Sequence, residues 1–230
     1  EGLNLPLDSV YFEETKKKKV EKISSLGCTH FIDDLPEILQ RVADAGFAVF
    51  ASGRDYDLNI IGLRNPDGRA NQFDDLLYCI YQKSGEWKVE KWTVTTDPGY
   101  YWLSNPTRAA GTAVMMHPQQ ARGVYSLDLH NGKYTALCQR HGSVKVWRDG
   151  NKDNVIDHGG RIYEGNGINI HRGSSSGETE EVNRYSAGCT VFKSADDFRD
   201  FIALCILQVE VLGYARFSYT LLLGLESDYD

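Results

Sequence analysis

From Phe47 onward the chain consists of short apolar or alternating runs separated by turn residues, and this pattern limits the fold more than any other feature. Pieces such as Asn65-Pro66-Asp67-Gly68 and His130-Asn131-Gly132 separate the runs, and an Asn-Gly between two alternating runs is a strong hairpin signal. Many short strands with tight turns predict a mainly β fold, either a β-sandwich or an open barrel. Strands are predicted over residues 58–63, 76–82, 87–96, 124–130, 133–139, 143–147, 167–171 and 215–223.

One long helix is predicted near the end of the chain. Ser194 is its N-cap, acidic residues occupy its first turn, and Gly213 ends it. Apolar residues recur along it at three- and four-residue spacing, so we expect it to pack against the β core.

Residues 1–45 differ in character from the rest of the chain. They contain a charged helix candidate over 13–24, a short strand candidate over 29–32 and a second helix candidate over 35–45. We therefore predict a short N-terminal α/β appendage over residues 1–45 and a mainly β domain, with one packed C-terminal helix, over residues 46–230.

Composition narrows the class of protein. A chain of 230 residues with 41% apolar content can bury one sizeable core. The formal charge of -7 argues against a nucleic-acid partner, because phosphate contacts need clustered Lys and Arg. No run approaches the ~20 apolar residues of a membrane-spanning helix, so no membrane span is expected. The first residues show no signal-peptide pattern, and both the compartment and the oligomeric state stay open.

The five cysteines are scattered and form no CxxC pair, so the sequence indicates neither a disulfide scaffold nor a zinc site. Cys79 and Cys138 lie in apolar strand-like runs and Cys205 lies on the apolar side of the predicted helix. Free cysteines in such places are usually small buried hydrophobes. Cys28 also has a structural interpretation, which leaves Cys189.

His171 and Cys189 stand eighteen residues apart, the first at the end of a predicted strand and the second after a long polar loop. A cysteine nucleophile reacts as the thiolate, and a nearby imidazole can lower its pKa and carry its proton. Gly188 permits close backbone approach, so amides around it are candidates for an oxyanion site, and Ser186 adds a hydroxyl to the same turn. The alternative is that Cys189 merely starts another buried strand.

The turn Ser186-Ala187-Gly188-Cys189, with His171 upstream, resembles the catalytic domain of L,D-transpeptidases of the YkuD type, including phage- and bacteria-encoded proteins that act on peptidoglycan. The resemblance implies a mostly β catalytic fold, Cys189 as acyl-accepting nucleophile, His171 as base and peptidoglycan stem peptides as substrate. It also implies a location in the cell envelope or association with phage.

Three positions depart from the family pattern. Arg172 follows His171 where glycine is usual, Ala187 replaces a second histidine, and no arginine follows Cys189 closely. Arg172 and Arg184 are candidates to replace that arginine as a clamp for a substrate carboxylate, because a guanidinium binds carboxylates with two hydrogen bonds. Asn169, on the same predicted strand as His171, is a further candidate for substrate binding.

Oxygen-bearing side chains at alternate positions after Trp147 resemble the start of a calcium loop. The usual turn glycine and closing glutamate are missing, which argues against an EF-hand, and a polar turn is the alternative. Calcium is the one cofactor that the sequence suggests, with candidate ligands Asp149, Asn151, Asp153 and Asp157.

The N-terminal residues Lys16 to Lys19, followed by Thr29 to Glu37, resemble a fragment of haloacid-dehalogenase-like phosphohydrolases. The Asp-x-Asp nucleophile motif that the family places earlier is not present before this segment, so the resemblance supports no activity.

Two classes of function fit these observations. One is a cysteine enzyme that transfers or hydrolyses an acyl group of peptidoglycan peptides, as an L,D-transpeptidase, a carboxypeptidase or an endopeptidase. The other is a non-catalytic cell-wall or phage-particle binding module that keeps the fold. The aromatic loop residues Tyr100, Tyr101 and Trp102 are candidates for a ligand surface in either class, with packing as the alternative.

Overall fold

The computed structural model of the chain describes residues 36–229. The helix predicted over 13–24, the strand predicted over 29–32 and most of the segment that resembles a phosphohydrolase fragment lie outside the described residues. The second N-terminal helix is present as α1 (Glu37–Asp44). Leu39 and Val42 of α1 pack with Ile61, Ile80 and Leu222.

The described part of the chain is mainly β, as predicted. Its eleven strands are β1 (Asn59–Arg64), β2 (Asp75–Lys83), β3 (Glu86–Thr95), β4 (Thr112–Met115), β5 (Gln119–His130), β6 (Tyr134–Gln139), β7 (Val144–Asp149), β8 (Tyr163–Gly165), β9 (Ile170–Arg172), β10 (Thr190–Phe192) and β11 (Phe217–Leu223). The remaining elements are α2 (Tyr100–Ser104), α3 (Ala195–Leu212) and a 3₁₀ turn at Glu226–Asp228.

Eight of these strands form a closed barrel in the order β1-β11-β5-β6-β9-β10-β3-β2. We had expected a sandwich or an open barrel. The sheet closes because β11 pairs in parallel with β1 on one side and antiparallel with β5 on the other. The other three strands form a small separate sheet in the order β4-β7-β8.

The predicted C-terminal helix is confirmed as α3, with the predicted caps. The Ser194 hydroxyl accepts a hydrogen bond from the Asp197 amide, and Gly213 adopts the left-handed conformation that ends the helix. Phe198, Phe201 and Cys205 of α3 belong to the same apolar core as the inward-facing barrel residues. Gln208 accepts a hydrogen bond from the Leu58 amide, which places α3 at the end of the barrel where β1 begins.

Arg64 lies at the other end of β1 and is fully buried. The barrel core is therefore bounded by an apolar helix at one end and by a buried charged group at the other. Within residues 36–229, no helix has both the length and the apolar character needed to cross a membrane.

Candidate functional site

The structure places His171 and Cys189 on the same face of two neighbouring parallel strands. β9 and β10 pair with Ile170 opposite Thr190 and His171 opposite Val191. Cys189 directly precedes β10, and the Thr190 amide continues the ladder by donating to the Asn169 carbonyl at 3.0 Å. Side chains alternate along a strand, so Cys189 and His171 share a face, with Cα atoms on the order of 8 Å apart. The predicted nucleophile and base therefore lie on neighbouring chain segments, two positions apart in register.

The His171 ring is buried and its tautomer follows from its contacts. Its Nδ1 atom lies 2.8 Å from the Arg172 carbonyl oxygen. A carbonyl can only accept, so Nδ1 carries the proton and Nε2 keeps a free lone pair. Burial, with a contribution from neighbouring His130, lowers the pKa of His171 to about 3. The ring is therefore neutral at physiological pH, in the form in which a histidine acts as a base.

The Cys189 side chain is 9% exposed. Its Sγ atom accepts a hydrogen bond from the Asn169 amide at 3.3 Å and lies 3.6 Å from the Gly167 carbonyl oxygen. The His171 ring is not among these partners. Burial raises the pKa of the Cys189 thiol to about 11, and the Asn169 amide offsets only part of that rise. Sequence reasoning suggested a thiolate held by imidazole, whereas the resting structure favours the neutral thiol.

The turn before Cys189 is fixed by glycine and serine. Gly188 has a φ of 112°, and a Cβ atom there would overlap the Ala113 carbonyl oxygen. The Ser186 hydroxyl accepts from the Gly188 amide at 3.1 Å and donates to the Cys189 carbonyl at 2.8 Å. The Gly188 amide is therefore occupied. Among the described residues the Cys189 amide has no acceptor, which makes it the better candidate for the oxyanion donor.

Arg172 and Arg184, the two candidates for a carboxylate clamp, lie in different surroundings. The Arg172 guanidinium stands 4.4 Å from the ring centre of Tyr134 and donates to the Ser175 carbonyl. The Arg184 guanidinium lies 3.9 Å from the ring centre of Tyr101, on α2, and Trp102 donates to the Arg184 carbonyl. Tyr101 and Trp102 thus pack against the loop that leads to Cys189.

Sequence reasoning missed His130, whose ring lies against the ring of the predicted base. Its ring stacks on that of His171, with centroids 4.2 Å apart and planes 23° apart. The Asn169 amide group bridges to His130 Nδ1 at 3.1 Å, and its carbonyl end accepts from the Gln139 amide. The only signal in the sequence was the His-Asn-Gly hairpin, which gives the position of a turn and not its neighbours.

A second polar cluster, also missed, fills the end of the barrel at Arg64. The Arg64 guanidinium donates to the Met115 carbonyl and to the side chain and backbone of Thr96, and lies 3.1 Å from Asp97. Burial opposes charge on Asp97, but Arg64 and His158 hold its pKa below its ordinary value. Burial and the nearby Asp97 raise the pKa of Asp75. Among the described residues, both Asp97 carboxylate oxygens are buried without a hydrogen-bond partner, and the cluster lies on β1, β2 and the residues that follow β3, apart from His171.

The proposed calcium ligands make contacts within their own loop. Asp149 accepts from the Asp157 amide at 3.0 Å, Asp153 accepts from the Val155 amide at 2.8 Å, and Asn151 accepts from the Asp153 amide and donates to the Asp157 side chain. These are the contacts of a polar turn. Within residues 36–229, no group of three or more His, Cys, Asp or Glu side chains is arranged to hold a metal ion.

Comparison of the chain with models of known protein families, with curated proteins and with solved structures gave no match in any of the three. The candidate site consists of a buried thiol directly before β10 and a buried imidazole on the adjacent parallel strand β9, whose Nδ1 lies on the Arg172 carbonyl.

Proposed function

We propose that the protein is a cysteine enzyme that transfers acyl groups of peptidoglycan stem peptides, in the manner of the L,D-transpeptidases that its His171 and Ser186–Cys189 segments resemble. The observation that carries the proposal is the His171 tautomer. Because Nδ1 is bound to the Arg172 carbonyl, Nε2 is free to accept a proton on the face that also carries Cys189. The mainly β fold agrees with the resemblance.

The chemistry begins from a neutral thiol and a neutral imidazole. His171 Nε2 takes the proton of Cys189 as Sγ bonds to the peptide carbonyl carbon, and the carbonyl electrons move to oxygen. The Cys189 amide donates to that oxyanion. When the tetrahedral intermediate collapses, the carbon–nitrogen bond breaks and His171 returns the proton to the leaving amine. A second amine or water then releases the acyl group from sulfur.

Substrate recognition is proposed to involve Arg172, which follows the base on β9 and whose guanidinium stacks on the Tyr134 ring. A guanidinium stacked in this way keeps N–H groups free for a carboxylate, and stem peptides end in carboxylates. Because Cys189 is nearly buried, a peptide carbonyl reaches Sγ only after the thiol turns outward or its covering residues move.

The alternative function, a non-catalytic cell-wall or phage-particle binding module, is favoured by one observation. Burial raises the pKa of the Cys189 thiol and excludes most solvent from it, as expected for a cysteine that serves as core. In that case His171 and Cys189 keep their positions because the fold is kept, although the protein no longer catalyses a reaction.

Incubation with purified muropeptides followed by mass spectrometry tests the proposal. We expect the wild-type protein to convert them and the Cys189→Ala variant to be inactive. Cys138→Ala is the matched control, since Cys138 is also a free buried cysteine but lies on β6, and it should keep most activity. Cross-linked products indicate an amine acceptor and shortened peptides indicate water. Equal activity in wild type and Cys189→Ala, or none in either, would refute the enzyme and favour the binding module.

A further inference from the structure

The hairpin between β5 and β6 brings His130 onto the base. Asn131 and Gly132 have φ values of 50° and 68°, so the turn is tight and His130 is the last residue of β5. β6 pairs with β9 at Leu137 and Ile170, which sets the hairpin tip against the end of β9. The contact between the two rings therefore follows from the strand pairing of the barrel.

The contacts of His130 determine its tautomer as well. Asn169 uses its side-chain oxygen to accept from the Gln139 amide at 2.9 Å, so its nitrogen is the end that faces His130 Nδ1. Nδ1 must then be the acceptor, and the proton lies on Nε2. Nε2 faces the Asn131 side chain, whose oxygen can receive that proton once its amide is oriented accordingly.

Asn169 links this ring to the nucleophile. Its backbone amide donates to Cys189 Sγ, while its side chain holds His130, which in turn covers the face of His171. One residue thus ties the thiol to the ring that stacks on the base.

We infer that His130 is a positioning residue for His171, an inference that rests on the proposed function. Stacking fixes the plane of the His171 ring, and the bond from Nδ1 to the Arg172 carbonyl fixes its rotation within that plane. Together they fix the direction of Nε2. The family pattern that this turn resembles has a second histidine where this chain has Ala187. In this chain the second imidazole next to the base is that of His130.

Burial favours the neutral form of both rings, and only the bond from His171 Nδ1 to the Arg172 carbonyl acts the other way on His171. Arg140, which follows β6 and pairs with Asp128, lies near His130, and Arg172 of β9 lies on the other side over Tyr134. The Cys189 thiol is neutral. Burial, and then Arg140, lower the pKa of His130. Removing the His130 ring would admit water to His171 and favour its protonation.

The test is an NMR titration of isotope-labelled histidines in the wild type, His130→Ala and His130→Phe, with exposed His141→Ala as control. We expect His171 to stay neutral with Nδ1 protonated in the wild type and in His130→Phe, which keeps a stacking ring. In His130→Ala we expect its titration to move up by at least about one pH unit, the change that solvent access causes in a buried histidine. The alanine variant should also lower kcat on muropeptides about ten- to a hundredfold with little change in KM.

The outcomes separate this inference from the proposed function, because the titration needs no turnover. A His171 that loses its single Nδ1-protonated tautomer in His130→Ala, without any muropeptide conversion by the wild type, supports the positioning role and refutes the enzyme. Conversion that is unchanged in His130→Ala, with no shift in the titration or tautomer of His171, refutes the positioning role and keeps the enzyme. If His130→Ala does not fold, a His171 in folded His130→Phe that titrates at higher pH overturns the role of the stack.

Discussion

Gly188 is the residue at which the geometry of the nucleophile turn is least tolerant of change. Replacing it with alanine forces an L side chain to a φ of 112° and drives Cβ into the Ala113 carbonyl oxygen, which is backbone and cannot move aside cheaply. We expect Gly188→Ala to lower the free energy of unfolding by about 3 kcal/mol or more, combining strain and overlap. Urea unfolding followed by circular dichroism measures the change.

Gly85→Ala is the control for that experiment. Gly85 also has a positive φ, but a Cβ there would meet open space. Its alanine variant should lose only about 1 kcal/mol, the cost of the backbone conformation alone. Equal losses at the two positions would show that the Ala113 contact contributes nothing.

The sequence leads to Cys189 and His171 as candidates but gives no information on their environment. Cys189 was identified because every other cysteine had a better structural explanation, and a strand-end histidine stood eighteen residues before it. His130 lies forty-one residues before His171, and their contact depends on the pairing of β6 with β9, a long-range event that no local pattern encodes. The pKa values of thiol and imidazole depend on burial, which is likewise a property of the packed molecule.

At the level of elements, α3 stabilises the barrel through one apolar stripe. Phe201 is fully buried and its ring lies 5.2 Å from that of Phe192 and 5.8 Å from that of Trp92. Phe201→Ala should therefore lower the free energy of unfolding by about 3–5 kcal/mol. Ile206→Ala on the same helix, where the side chain is 41% exposed, should change it by less than about 1 kcal/mol. Denaturant unfolding of both variants compares the two faces, and similar losses would contradict the packing described.

The elements that the sequence predicted are the long ones. The β2–β3 and β5–β6 hairpins have strong local signals in their turn residues and in the alternation of their strands. Helix α3 has strong signals in its caps. Two strands, β4 and β8, were not predicted, and β10 was expected only under the alternative that Cys189 starts another buried strand. β8 and β10 are only three residues long, and Thr190–Phe192 is a strand because β3 and β9 flank it, not because of its own pattern. Barrel closure was missed for the same reason, since it depends on which strands meet.

At the scale of the whole molecule, stability should fall in mild acid because two histidines are held neutral. Burial lowers the pKa of His171 to about 3, and burial together with Arg64 and His158 lowers that of His117 to about 4. In the unfolded chain both take up a proton near pH 6.5. The unfolded state therefore binds more protons below that pH, so their contribution is complete above pH 6.5 and is lost as the pH falls towards 4.

Urea unfolding between pH 7.5 and 4.5 measures how the free energy of unfolding changes with pH. His171→Gln should reduce the proton uptake on unfolding by about one. An identical pH dependence in wild type and His171→Gln would show that this ring is not kept neutral by the fold.

The pairing of β11 with both β1 and β5, which closes the barrel, has a consequence for the synthesis of the protein. β11 lies between β1 and β5, so β1 pairs only with β2, and β5 only with β6, until residues 217–223 have left the ribosome. At about 5–20 residues per second, the nascent chain carries two unpaired sheet edges for roughly ten seconds or more after β1 is synthesised. Exposed edges pair readily with other chains. We therefore expect conditions that shield these two edges during synthesis to raise the yield of folded protein.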